Sequence, residues 1–179
     1  MTPLPTVIYS KTKAELIHQI QDIHNQLISF YRSIPADRMI IDAEPRGWPA
    51  FKNIKHSTSI NKVFAFYVGL PVWLLRLRGK PRRPNLTLDT LVPTNRPQIT
   101  DHGTYHKGPA IQSKRLDETL SSLLKSSNRL IQSIETKSED QLDSLQSLFG
   151  GMTLRMFVHF LLKHNVYHAS VVRYRIENI

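Results

Sequence analysis

The chain of 179 residues contains no cysteine. Disulfides, thiolate metal ligands and a protein thiol nucleophile are therefore excluded, and any bound metal must be held by His and oxygen. Long apolar runs are also missing, and none approaches the ~20 residues that span a bilayer. Met1–Ser10 carries two Pro and no basic residue, so it does not read as a secretory leader, and a soluble cytoplasmic protein is the expectation. Acidic residues are few, with 14 Asp and Glu against 24 Lys and Arg, for a net charge of +10. That imbalance raises nucleic acid, anionic lipid and acidic ligands as partners. No RNP, zinc-finger or P-loop signature accompanies it, so nucleic acid is disfavoured, and no membrane partner is expected.

What is present reads as helix. At 40% hydrophobic residues, one domain with a substantial core is expected. Thr12-Lys13-Ala14-Glu15 has the form of a capping box. Leu16, Ile20, Ile23, Leu27, Phe30 and Ile34 then follow in the three- and four-residue steps of a core-facing stripe, and Pro35 closes it. His18 and His24 lie off the centre of this stripe and are expected at the surface or its boundary. A second helix should start after Trp48-Pro49, with Asn53, His56, Ile60, Val63, Phe64 and Tyr67 on one face, and should end at Gly69 and Pro71.

Residues 70–112 are rich in Pro, lack sustained periodicity and predict a long, largely irregular crossover. Val72–Leu75 either extends the second helix or docks as an apolar patch. Arg76, Arg78, Lys80, Arg82 and Arg83 make the crossover strongly basic, as a solvated loop or as a contact for an anionic substrate. Asp101, His102, Tyr105 and His106 line a site entrance or form an exposed polar loop. From Ser113 a third helix is marked by Leu116, Leu120, Leu123, Leu130 and Ile134, and Asp140–Gln146 suggests one short helical turn. Thr153 caps a fourth. The sequence offers no convincing strand and no internal repeat, so the predicted fold is all-α, a four-helix bundle with a long crossover between helices 2 and 3.

In the fourth helix, His164 and His168 are four residues apart and so lie on one face, about one turn from each other. His168 falls inside the apolar arc of Phe157, Val158, Leu161, Leu162, Ala169 and Val172, with His164 at its edge. His159 projects to the opposite, polar side. Imidazoles directed into a core need a metal, a hydrogen-bond network or trapped water. Asn165 stands where a metalloprotease helix of the H-E-x-x-H type carries its Glu, so that chemistry is excluded.

Trp48, His56 eight positions later, and Leu148-Phe149-Gly150-Gly151-Met152-Thr153-Leu154 leading into His164-x-x-x-His168 together resemble the DinB-like (YfiT-like) metalloenzyme superfamily over nearly the whole chain. The resemblance implies a four-helix bundle in which His56, His164 and His168 bind a divalent metal. Three neutral imidazoles leave such an ion open positions, the mark of a catalytic rather than a structural site, and they suit zinc, nickel or iron. The family includes transferases that use a low-molecular-weight thiol, and hydrolases. Either activity implies a small-molecule substrate, with thiol or water activated by the ion.

Tyr67, three turns from His56, and Asn165 are the candidates for orienting a ligand, or are packing residues. His106, Arg82 and Arg83 are candidates for substrate contact. The resemblance also implies a homodimer, for which Trp73, Leu74 and Leu75 offer an apolar patch if they do not pack within their own chain. Two other readings stand beside the enzyme: a non-catalytic bundle that binds a small toxic or electrophilic molecule, and a basic accessory protein that binds nucleic acid.

Overall fold

The computed structural model describes residues 1–39, 41–44, 48–94, 104–107 and 111–178, with 41–44 and 104–107 described through their backbone. Six helices carry the fold: α1 (Lys13–Arg32), α2 (Ala50–Gly69), α3 (Val72–Arg76), α4 (Ser113–Glu135), α5 (Glu139–Ser144) and α6 (Leu154–Glu177). The four long ones form the predicted bundle. In it α4 and α6 each pack against both α1 and α2, so α1 and α2 face one another across the core.

Helix starts follow the predicted chemistry. Thr12 Oγ1 accepts the Glu15 N–H at 3.1 Å while Glu15 Oε2 accepts the Thr12 N–H at 3.3 Å, closing the capping box. Replacing Thr12 by Ala removes one half of that exchange and is expected to cost about 1 kcal/mol, read as a shift of the urea midpoint. All six residues of the α1 stripe are buried. Ahead of α6, Gly150 and Gly151 adopt φ of 75° and 66°. An L side chain is strained in that left-handed region, so the turn that aims α6 into the bundle favours glycine at both positions. Thr153 Oγ1 then accepts the Met156 N–H at 3.1 Å and caps the helix.

Three expectations are corrected, and one that the sequence left open is decided. A two-stranded antiparallel ribbon is present, β1 (Ile41–Glu44) with β2 (Thr104–Lys107), pairing Ile41 with Lys107 and Glu44 with Thr104. Strands of four residues are too short to display an alternating pattern, so local sequence did not mark them. Leu75 is buried in α3 rather than exposed, and only Trp73 of the proposed interface patch stands fully in solvent.

His24 and His159 are both fully buried. The His24 Nδ1–H donates to the Ile20 carbonyl at 2.7 Å, leaving Nε2 to accept from Asn61 Nδ2 at 2.9 Å. Asn61 Nδ2 also reaches Ser126 Oγ, and Asn61 Oδ1 accepts from Asn165 Nδ2 at 2.8 Å. Each of the four bundle helices thus contributes one member to a buried polar layer. His159 is covered by the N-terminal segment: its Nδ1–H donates to the Arg155 carbonyl, its Nε2 accepts the Ser10 N–H at 2.9 Å, and Tyr9 stacks on its ring.

Burial lowers the pKa of both histidines below the ordinary value. Protonating either Nε2 would also turn an acceptor toward a donor. Because the folded pKa lies below the unfolded value of about 6.5, the unfolded chain binds more protons as the pH falls under that value. Stability is therefore full above about pH 6.5 and declines below it, by at most ~1.4 kcal/mol per pH unit for each histidine. A urea midpoint lower at pH 5 than at pH 7 is expected, and a double His24→Gln/His159→Gln variant should flatten that difference. An unchanged pH profile in the variant would show that other groups carry it.

Candidate metal centre

His56 lies in the second turn of α2, and His164 and His168 lie one turn apart on α6, which packs against α2. The helix pairing brings three imidazoles to one point. His164 Nε2 is 3.1 Å from His56 Nε2 and 3.1 Å from His168 Nε2, and a donor atom from each of the three falls within 4.8 Å of the others. With metal–nitrogen bonds of ~2.1 Å, donors at neighbouring vertices are ~3.0 Å apart in an octahedron and ~3.4 Å apart in a tetrahedron. The observed separation lies between those limits. These three residues can hold a metal ion, and all three are half-buried.

The groups behind the rings decide their protonation. His164 Nδ1 faces the Pro93 carbonyl at 2.8 Å, so in the neutral ring the proton is on Nδ1 and Nε2 carries a lone pair. His168 Nδ1 faces Asn53 Oδ1 at 2.7 Å. The orientation of that amide is fixed in turn, because Asn53 Nδ2 donates to the Trp48 carbonyl at 2.9 Å and to the Pro49 carbonyl at 3.1 Å. His168 Nε2 is then a lone pair as well. Both lone pairs face the cluster, where His56 Nε2 also lies 3.1 Å from His164 Nε2. Burial holds the His164 pKa below its ordinary value, only partly offset by the Pro93 carbonyl, which favours the neutral ring.

Aromatic rings fix the remaining freedom. Trp48 lies parallel to His168 at 6.2 Å between centroids and edge-on to His56 at 5.0 Å, while Phe160 stacks on His164 at 5.9 Å. The Trp48 carbonyl also accepts from Arg175 Nη1, which ties the approach to α2 onto the end of α6. Part of the crossover lies along α6 beside the site, since Lys163 Nζ donates to the Leu88 carbonyl and the Pro93 carbonyl meets His164.

The other candidates have different partners. Tyr67 donates its hydroxyl to the Gln146 carbonyl at 2.8 Å and packs edge-on to Phe157, with its pKa raised by burial. Asn165 belongs to the buried polar layer. Arg82 and Arg83 are exposed, and the Arg83 N–H donates to the Gly151 carbonyl, so that part of the crossover lies on the glycine turn. Residue 106 pairs with Asp42 through the ribbon backbone, and the His106 side chain, like Asp101 and His102, lies outside the described residues.

Asn53 was visible in sequence only as a neighbour of His56 on one helical face. Its role depends on α6, more than a hundred residues away in sequence, and no local signal encodes it. Asn53→Ala frees the His168 ring and its tautomer, so metal affinity is expected to fall about 10–100-fold while the fold persists. Isothermal titration with zinc would read this, and an unaltered affinity would show that the amide does not orient the ligand.

Comparison of the chain with protein-family models, curated proteins and solved structures returns no match.

Proposed function

We propose that the protein is a divalent-metal enzyme of the DinB-like type, with His56, His164 and His168 as ligands, acting on a small-molecule substrate through an activated thiol or water. The observation that carries this reading is the convergence of one nitrogen from each of His56, His164 and His168 within 4.8 Å, with His164 and His168 each held through Nδ1 so that Nε2 faces the cluster. Zinc, nickel and iron(II) all accept three imidazoles, and availability decides among them.

When bound, the ion supplies Lewis acidity that lowers the pKa of a thiol or water at an open position. The chain does the rest. The three rings bind, Asn53 and the Pro93 carbonyl orient them, and Trp48 and Phe160 flank them with apolar surface. The chain has no cysteine to act as its own thiol nucleophile, which agrees with an external thiol or water in that role.

The test is elemental analysis of untagged protein before and after reconstitution with zinc, nickel or iron, followed by assays of thiol conjugation to an electrophile and of ester and amide hydrolysis, with and without chelator. A near-equimolar metal and an activity that chelation removes are expected. A protein that takes up none of the three metals would sink the proposal.

A further inference from the structure

We propose that the corner formed by the end of α2 and by α3 is a docking surface for an anionic membrane. Among the described residues, the three most exposed large hydrophobic side chains all fall within 66–77: Leu77 at 74%, Phe66 at 72% and Trp73 at 67%. Trp73 and Leu77 are four residues apart on α3 and its cap, and therefore share a face. They cannot rotate inward, because Leu75 anchors the opposite face of α3 in the core at 1% exposure. The corner itself is held in place, since the buried Lys137 donates its Nζ to the Leu70 carbonyl at 3.0 Å.

Charge selects the occupant. Between Glu44 and Asp89 the sequence contains no Asp or Glu, and Arg76, Arg78, Lys80, Arg82 and Arg83 follow directly on the exposed trio, all of them exposed. Asp143 faces the same cleft as Arg76 and Lys80, and its oxygens accept from Arg155 at 2.7 and 2.9 Å; Arg155 is shared with Glu139, so this group keeps one negative charge against the five cations. A second copy docked through this surface would set these cations against their own equivalents, which disfavours a symmetric dimer here.

An anionic membrane satisfies both halves of the patch. Leu77, Phe66 and Trp73 enter the boundary between headgroups and acyl chains, and the arginines and Lys80 meet lipid phosphates and carboxylates. Nucleic acid would match the charge, but it offers no apolar medium for Leu77, the most exposed of the three. No helix among the described residues is long and apolar enough to cross a membrane, so the docking is to its surface.

The test is co-sedimentation of the full chain with vesicles of phosphatidylcholine alone or with a third of the lipid replaced by phosphatidylserine. Binding to the anionic vesicles only, weakened by salt and accompanied by a blue shift of Trp emission that Trp73→Phe abolishes, is the expected result. A Lys80→Gln/Arg82→Gln/Arg83→Gln variant should bind about 100-fold more weakly, at about fivefold per charge. A Phe66→Ser/Trp73→Ser/Leu77→Ser variant should lose the blue shift and bind at least about tenfold more weakly. Both triple variants alter exposed side chains, and unchanged helical circular dichroism would verify the fold. The proposal is overturned by equal binding to neutral vesicles, or by no effect of the apolar variant. Two further results overturn it: binding to single-stranded DNA without binding to vesicles, or no vesicle binding together with a dimer that the apolar variant dissociates.

Discussion

Replacing His164 by Ala is expected to leave the protein without a stoichiometric divalent ion. His164 is the shared neighbour of the cluster, with its Nε2 at 3.1 Å from each of the other two. Removing an orienting group behind a ligand costs about 10–100-fold in affinity. Removing a ligand outright must cost more than that, and with two imidazoles left no carboxylate among the described residues joins the cluster to complete the set. Elemental analysis after exhaustive dialysis reads the result directly.

Stability supplies a second readout. Metal at about 100 times its dissociation constant should stabilise the wild type by about 2.7 kcal/mol, and should leave His164→Ala unmoved. His18→Ala is the control, because that side chain is largely exposed and is paired with Asp22 on α1 rather than with the cluster. Full occupancy in His164→Ala would mean that the ion is held by another group of residues.

How much of this was legible in the sequence depends on the range over which each feature is determined. The long helices were readable because their causes are local: the capping box at Thr12 and Glu15, the spacing of Leu16 to Ile34, Thr153 ahead of α6. The three candidate ligands were readable for the same reason, since helical periodicity alone sends His56 and His168 inward, with His164 at the edge of the apolar arc. The burial of His24 and His159 was not. His24 lies off the centre of an apolar stripe and His159 on the side opposite one, and their partners arrive from elsewhere, Asn61 from α2 and the Ser10 N–H from the N-terminal segment.

A polar side chain beside a stripe has two outcomes, and only the tertiary partner decides between them. The Trp48-to-His56 spacing shows the opposite case. In sequence it was a motif without a mechanism, and in the structure it places an indole edge-on to His56 and parallel to His168, with the same residue's carbonyl fixing Asn53.

Phe157→Ala should be the most destabilising single truncation near the site, by about 3–5 kcal/mol. Phe157 is fully buried on α6, stacks on Phe64 at 3.9 Å between centroids and meets Tyr67 and Phe149 edge-on. It therefore joins α2, α6 and the segment before α6 in one aromatic cluster. Small, flexible neighbours would fill the gap, but those around it are rings with fixed planes, and such a lining relaxes little. The cluster reaches the metal site through Phe160, which stacks on both Phe64 and His164. Phe160 itself is untouched by the substitution, and the orienting bonds from Pro93 and Asn53 do not pass through Phe157. Below its lowered melting temperature the variant should thus still bind one equivalent of zinc, with affinity changed less than in Asn53→Ala. Denaturant titration and calorimetric metal titration on the same sample separate the two effects. A variant that keeps its stability would show that the cavity collapses. One that folds but loses the metal would show that the aromatic cluster, rather than the polar groups behind the imidazoles, sets the geometry of the site.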